Sequence, residues 1–221
     1  MSRRIIALAL SLLTMTWLGG CATQVASYDY SAFRKAAPKT ILILPPTNQS
    51  PDIQASSGVL STATFPVAEN GFYVYPVALV VQTFKENGIT SPDEVQQLPV
   101  AKLREVFGAD AALYITVKRY GTSYQVVASN VQVTLEAKLV DLRSGDLLWR
   151  GEANASNQEG RNNQGGLVGM LVAAIVEQII NSSVADPSYR IGAIANSRLW
   201  TANPAANGML YGPRSPNFQK Q

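Results

Sequence analysis

The chain contains no histidine and only one cysteine in 221 residues. It therefore offers no imidazole as a general base or as a metal ligand, and it cannot form an intrachain disulfide. The P-loop, G-x-S-x-G and G-x-G-x-x-G motifs, which mark phosphate sites, hydrolase nucleophiles and dinucleotide sites, are also missing. We therefore predict a protein that is not an enzyme, with no catalytic residue, no metal site and no cofactor.

Charge is also sparse. Charged residues make up 15% of the chain, and the formal net charge is +3. Arg3 and Arg4 account for much of this excess, so the rest of the chain is close to neutral. A concentrated basic surface, which nucleic acids require, is absent from the sequence. We therefore predict no nucleic-acid partner.

The first twenty residues read as a secretory signal peptide. Arg3 and Arg4 precede an apolar run over residues 5–18, and two small residues follow it. The apolar run is shorter than the roughly 20 residues that a transmembrane helix needs. Residues 1–20 are therefore predicted not to belong to the folded domain.

The end of this segment, Leu18-Gly19-Gly20-Cys21, resembles the lipobox of bacterial lipoproteins. The resemblance implies a diacylglycerol thioether on Cys21, cleavage before it, and a further acyl chain such as palmitate on the new amine. Several acyl chains on one residue give a stable anchor, whereas one chain is marginal. The residue after Cys21 is Ala22 rather than Asp, which in such lipoproteins resembles delivery to the outer membrane. The alternative is an ordinary secretory signal followed by a free thiol.

The mature chain divides into three parts by composition. Residues 21–38 are predicted to be a lipidated tether, although Tyr28, Tyr30 and Phe33 could dock on the domain, and a short helix could begin at Ser31. Residues 39–185 are predicted to form one α/β domain. Residues 186–221 contain four prolines and little periodicity, which indicates an extended tail that wraps the domain, wraps a neighbour or is disordered.

Apolar periodicity predicts a mixed α/β sheet with a C-terminal antiparallel meander. The meander rests on alternating patterns that flank a turn in which Gly145 supplies a positive φ. Helical spacing predicts helices elsewhere. One of them is predicted to begin with a capping box of Ser91 and Glu94, with Pro92 in the first turn. The predicted strands are 40–46, 71–77, 112–120, 131–139 and 146–155. The predicted helices are 77–88 and 91–108, the second restarting at Pro99 and ending at Gly108, and 47–70 is predicted as a loop that could contain a short helix.

A final helix is predicted over residues 165–184, and its first turns are apolar on every side. Gly165, Gly169 and Ala173 lie on one stripe of this helix. The simpler interpretation is a core helix in which small residues permit a close approach; the alternative is an interface with another subunit. Membrane insertion is least favoured, because the apolar stretch is interrupted by Glu177 after a short distance.

Two further patterns could mark a site. Trp149 is interpreted as a packing residue rather than a binding platform. Tyr114, Thr116, Lys118 and Tyr120 alternate with the apolar residues of their strand and are interpreted as a covered or solvated sheet face rather than a ligand site.

Several stretches together resemble a known family. They are TILILPPTNQS (40–50), ENGFYVYPVALVVQTFKENGI (69–89), LPVAKLREVFGADAALYITV (98–117), LVDLRSGDLLWRGEA (139–153) and LYGPRSPNF (210–218). With the lipobox they resemble a family of bacterial proteins of unknown function, inferred to be outer-membrane lipoproteins and typified by a neisserial vaccine-candidate antigen. The resemblance implies a three-layer fold similar to the N-terminal domain of TolB, the periplasmic core of CsgG, and LpoB.

The resemblance also implies partners. This family is associated with a CsgG-like lipoprotein and a small second lipoprotein, although the present sequence lacks the long amphipathic hairpins that a CsgG pore requires. We therefore predict a non-enzymatic, lipid-anchored protein on the periplasmic side of the outer membrane that acts by protein contacts in a lipoprotein assembly and could form a homo-oligomer. The alternatives are a regulator of peptidoglycan synthesis similar to LpoB, and a small-ligand carrier or enzyme, which would need a deep pocket.

Overall fold

The computed structural model describes residues 28–124, 129–158 and 186–221. Residues 1–20, the lipobox and the predicted helix 165–184 therefore lie outside the described residues. The elements in chain order are α1 (Ser31–Ala36), β1 (Thr40–Ile43), β2 (Thr47–Asn48), α2 (Ala55–Glu69), β3 (Tyr73–Val74), α3 (Val77–Glu86), α4 (Pro92–Gln97), α5 (Val100–Phe107), β4 (Ala111–Arg119), β5 (Thr122–Tyr124), β6 (Ser129–Asp141), β7 (Leu147–Ser156) and α6 (Pro187–Trp200). Short 3₁₀ turns follow at Pro204–Ala206 and Phe218–Lys220.

The strands form one open mixed sheet. Its main path runs β3-β1-β4-β6, and β7 continues it on the far side of β6. β1 is parallel to both β3 and β4, and β2 is parallel to β4. β6 is antiparallel to β4, β5 and β7. The predicted mixed sheet and the predicted meander are both confirmed.

Helices pack on both faces of the sheet and make three layers. On one face α2 and α6 cover an apolar layer that includes Ile41, Leu113, Leu135 and Trp149. On the other face α3, α4 and α5 cover a smaller layer that includes Leu42. Adjacent residues of β1 and β4 contribute to both layers, which explains why these strands read as continuous apolar runs.

The β7 strand differs from the predicted alternation at one position. The register pairs Leu139 with Trp149 but Val140 with Leu147, so Leu148 is the extra residue of a β-bulge. The bulge places Leu148 in the same apolar cluster as Trp149, whereas strict alternation along 146–155 would place the two side chains on opposite faces. Leu147 is left at the surface.

The prediction that 47–70 is mainly a loop is wrong, because the helix in it is not short: residues 55–69 form the 15-residue helix α2. The side chains of α2 that face the core are small or β-branched: Ala55, Val59, Ala63 and Val67, each four residues after the last. This spacing places one narrow stripe against the sheet.

The prediction of an extended tail is wrong for residues 187–200, which form α6. Asp186 caps this helix by accepting a 2.8 Å hydrogen bond from the backbone N–H of Ser188, and Pro187 occupies the first turn, where a proline is tolerated. Asn196 is fully buried between α6 and α2, and its Nδ2 donates to Val59 O at 2.8 Å and to Thr62 Oγ1 at 2.6 Å. Its Oδ1 accepts a hydrogen bond of 2.8 Å from Trp200 Nε1.

The segment after α6 is irregular and wraps the domain. Met209 and Leu210 are buried in the larger core, and the backbone N–H of Gly212 donates to Asn70 O at 2.7 Å. Trp149 Nε1 donates a 3.0 Å hydrogen bond to Asn207 O. The last residues of the chain are therefore part of the folded domain.

The N-terminal aromatics dock on this same segment. Tyr30 and Phe33 are buried, and Tyr30 Oη donates to Gly208 O at 2.5 Å. The backbone N–H of Tyr28 donates to Asn207 Oδ1 at 2.9 Å. The short helix expected from Ser31 is present as α1.

The structure confirms the predicted helix end at Gly108 and only part of the predicted helix start at Ser91. Gly108 ends α5 in the left-handed conformation with φ +66°, where glycine is the favoured residue. Ser91 occupies the N-cap of α4 with Pro92 in its first turn, as predicted, but its side chain makes no capping hydrogen bond, so the predicted capping box does not form.

Candidate functional site: the open face of the sheet

The candidate site is the part of the sheet that the helices leave uncovered. The helices α3, α4 and α5 cover β1 and the beginning of β4, where Tyr114 belongs to their buried cluster, whereas on the same face Glu136 and Lys138 of β6 and Arg150 and Glu152 of β7 are exposed. We call this surface the open face. It forms a groove of about 720 Å³ lined by Gln96, Tyr114, Thr116, Glu136, Lys138, Leu147, Arg150 and Glu152.

The two-residue period of the strands places these side chains on one face. In β6 the odd-numbered residues from 131 to 139 are buried, while Glu136 and Lys138 are exposed. In β7 Ala153 and Ala155 are buried, and Arg150 and Glu152 are exposed. The groove is therefore a polar surface with an apolar core directly behind it.

Gln96 fixes the border between the covered and open parts of this face. Its Nε2 donates to Pro45 O and to Ile115 O, both at 2.9 Å. These bonds tie the end of α4 to the loop after β1 and to β4. A helix that is fixed at this point defines one wall of the groove.

The charges on β6 are satisfied by residues on β4. Lys138 Nζ lies 4.8 Å from the centre of the Tyr114 ring, and Lys118 Nζ lies 3.5 Å from Glu136 Oε2. Burial raises the pKa of Tyr114, so this phenol is neutral and offers its ring to the ammonium group. The Lys118–Glu136 pair is partly exposed, and pairs of that kind contribute about 0–1 kcal/mol.

The charges on β7 are in a different situation. The register places Arg150 directly opposite Lys138 and Glu152 directly opposite Glu136, so each faces a charge of its own sign. Like charges in opposite cross-strand positions destabilise the pair. Among the described residues, neither Arg150 nor Glu152 has an ion pair or a side-chain hydrogen bond.

This arrangement is suited to binding a polar surface. The groove is wide and shallow, its charges alternate in sign, and Leu147 at its rim is 37% exposed. In the described ranges, no three His, Cys, Asp or Glu residues are placed together to hold a metal ion. What the open face can do is recognise charge of both signs and bury a small apolar area.

The residues that the sequence suggested as a possible site are divided between the core and the open face. Trp149 is buried, as predicted, and packs against Trp200 with 6.0 Å between the ring centres. Tyr114, Thr116 and Lys118 lie on the open face, but Tyr120 does not. The register shifts between Val117 and Arg119, and Tyr120 enters the larger core instead.

The remaining predicted site residues are Leu18, Gly19, Gly20, Cys21, Gly165, Gly169 and Ala173, and all lie outside the described residues. Their assignment as a lipobox and as a helix interface stays a prediction. The sequence reasoning did not single out Gln96, Arg150 or Glu152. The alternation of β7 was visible, but the like-charge pairs depend on the register with β6, which no pattern within one strand reveals.

The described residues also bear on membrane association. Within 28–124, 129–158 and 186–221, no helix combines the length and the apolar character that crossing a membrane requires.

The fold defines the class of the protein: a three-layer α/β domain around an open mixed sheet.

Comparison with known proteins places this domain in a family. The family described as "Putative lipoprotein GNA1162-like" matches residues 28–214, which is most of the chain. The chain therefore belongs to this family of lipoproteins. The resemblance suggested by the sequence motifs is confirmed.

Two relatives illustrate the similarity. The chain is 44% identical over 209 residues to a lipoprotein of Neisseria meningitidis serogroup B, and the match covers 94% of this chain and 95% of the relative. The crystal structure of lipoprotein GNA1162 from Neisseria meningitidis matches with 46% identity and a TM-score of 0.55, covering 66% of this chain and all (100%) of that one.

The comparison also matches more distant structures. The C-terminal domain of LpoB from Escherichia coli is 18% identical, with a TM-score of 0.39, and the match covers 55% of this chain and 85% of that domain. A likeness of this size carries no argument about this chain.

Proposed function

We propose that the protein is a non-enzymatic lipoprotein, anchored through Cys21 in the outer membrane, that acts by protein contacts within an assembly of envelope lipoproteins. A CsgG-like lipoprotein is the partner that the family resemblance implies. The anchoring part of the proposal rests on the lipobox and on Ala22, together with membership of a lipoprotein family.

The observation that carries the contact function is the open face. Arg150 and Glu152 are exposed on it without partners among the described residues, and each stands opposite a like charge on β6. A partner surface that supplies opposite charges would remove both unfavourable pairings. Complementary charge of this kind confers specificity on a protein interface and increases the association rate.

The proposal is tested by site-specific photocrosslinking in intact cells. A photoreactive amino acid replaces Leu147, which is 37% exposed at the rim of the open face. The matched control replaces Leu79, which is 64% exposed on α3 and lies outside the groove. We expect crosslinks to other envelope proteins from position 147 and none above background from position 79.

The identity of the crosslinked protein separates the alternatives. An outer-membrane lipoprotein supports the proposal, and a peptidoglycan synthase would instead support a role in regulating cell-wall synthesis. No crosslink from position 147, or the same crosslinks from positions 147 and 79, would contradict the assignment of the open face as the contact surface.

A further inference from the structure

Among the described strands, β7 forms one edge of the sheet. In the described part of the chain it pairs with β6 alone, and it is ten residues long. The opposite edge, β3, has only two residues. A long edge strand presents backbone N–H and C=O groups that can pair with a further strand.

The hydrogen-bond pattern shows which residues of β7 face outward. The backbone N–H of Asn157 donates to Val131 O at 3.1 Å, and this fixes the phase of the β6–β7 ladder. Because hydrogen-bonded and non-hydrogen-bonded pairs alternate in antiparallel strands, Gly151 and Ala153 bond to β6. Arg150 and Glu152 direct their backbone groups away from β6, toward the edge.

A contact between Arg198 and Asn154 confirms this phase and occupies one of the outward carbonyl groups of the edge. Arg198 Nη1 on α6 donates to Asn154 O at 2.7 Å, so the carbonyl group of Asn154 points outward, as the alternation requires. At the other end the bulge at Leu148 interrupts the regular strand. The regular, accessible part of the edge is therefore short and centred on Gly151.

We propose that β7 pairs with β7 of a second copy of this chain, antiparallel and centred on Gly151, so that two sheets join into one. In this register Arg150 stands opposite Glu152 of the second copy, and Glu152 stands opposite its Arg150. Each of these pairs exchanges two backbone N–H···O bonds, since both residues face outward. Arg150 and Glu152, which have no partner among the described residues of their own chain, then have opposite charges beside them.

Charge selects this register over its neighbours. If the centre moves one residue toward the start of β7, Arg150 faces Arg150 of the second copy. If it moves one residue the other way, Glu152 faces Glu152. Only the pairing centred on Gly151 places unlike charges opposite each other, and it is also self-complementary, as a twofold interface must be.

This inference deepens the proposed function, on which it rests, because it names a partner for β7 at the rim of the open face. The β7 dimer and the wider lipoprotein assembly can be contradicted by different results. Crosslinks to other proteins in cells with no strand-paired dimer would overturn only the dimer, and a dimer without such crosslinks would overturn only the wider assembly.

The test uses disulfide trapping of the full chain, purified in detergent from expressing cells. Two differently tagged chains, one with Arg150→Cys and one with Glu152→Cys, are produced together and oxidised gently. We expect a mixed disulfide between them. The control pairs Arg150→Cys with Asn154→Cys, which the register shifted by one residue would bring together; it should give little product. Cys21 is present in every variant, so any disulfide that it forms contributes equally to all of them.

Charge reversal tests the same register without new thiols. Arg150→Glu and Glu152→Arg each replace two attractions by two repulsions, and each should weaken dimerisation about tenfold. The double variant restores unlike pairs and should restore dimerisation, while circular dichroism checks the fold of all three. A monomer at every concentration, equal trapping of the control pair, or a double variant as weak as the single variants would overturn the proposal.

Discussion

The indole ring of Trp149 lies directly over Gly151, so that a Cβ at position 151 would stand 2.3 Å from Trp149 Cζ2. The two residues are neighbours on the core face of β7, and the tryptophan fills the space that a side chain at 151 would occupy. A glycine in the middle of a strand weakens it, and here the packing of the indole ring explains why it is present.

Gly151→Ala should therefore destabilise the protein. The added methyl group must displace the indole ring, and overpacking of this kind costs about 1–3 kcal/mol. Urea unfolding followed by tryptophan fluorescence measures the loss. The same substitution in a Trp149→Phe background should cost less, because a phenyl ring lacks the atoms in closest contact. Equal costs in both backgrounds would show that this contact is not the cause.

The buried Asn196 leads to a second prediction. Asn196→Ala removes the acceptor of Trp200 Nε1 and a donor to Thr62 Oγ1. A buried polar group that loses its partner costs about 1–3 kcal/mol. The adjacent Ser197→Ala, on the less buried side of α6, should change the free energy of unfolding by no more than about 0.5 kcal/mol. Similar losses for the two variants would argue against a stabilising role for the network.

Asp141 leads to a prediction about pH. Burial alone would raise the pKa of Asp141, but the backbone N–H groups of Arg143 and Ser144 and the guanidinium of Arg143 lower it overall. The folded pKa is thus below the unfolded value of about 4. Stability from this group is fully present above pH 4 and is lost as the pH falls through the folded pKa.

Asp141→Asn should accordingly lower stability at pH 7 and make its decline on acidification shallower. Chemical unfolding between pH 7 and pH 3 measures both effects. Stability curves for the two proteins that run parallel over this range would show that Asp141 does not contribute to the acid sensitivity.

The lipobox leads to a prediction in cells. Cys21→Ala removes the thiol that accepts the diacylglycerol, so the variant should incorporate no labelled palmitate and should leave the membrane fraction. Ala22→Ser preserves the cysteine and should remain labelled. Labelling of the Cys21→Ala variant equal to that of the unaltered chain would exclude Cys21 as the attachment point.

Much of the sheet could be predicted from the sequence, because alternation reports directly on a strand with one buried face. β4, β6 and β7 were located to within a few residues, and the turn with Gly145 has the expected positive φ. The bulge at Leu148 could not be predicted, since it depends on which residues of β6 lie opposite. The open face was visible as polar positions, but its like-charge pairs were not.

The two missed helices have separate physical reasons. The core-facing stripe of α2 consists of alanines and valines among serines and threonines, so its apolar periodicity is weak. α6 begins with Asp186 and Pro187, which in a proline-rich region look like loop residues but here form a helix start. Its buried residues include a glycine, two alanines and an asparagine, and packing against α2 stabilises them in the helical conformation.

The docking of Tyr28 and Tyr30 on the C-terminal segment sets how far the domain can stand from a membrane. If Cys21 carries the lipid, only the residues between it and Tyr28 can span the gap, because the backbone N–H of Tyr28 is already bonded to Asn207. Fully extended, that stretch reaches at most about 25 Å. The folded domain is then confined to a thin layer beside the bilayer, and any partner must come into that layer to meet it.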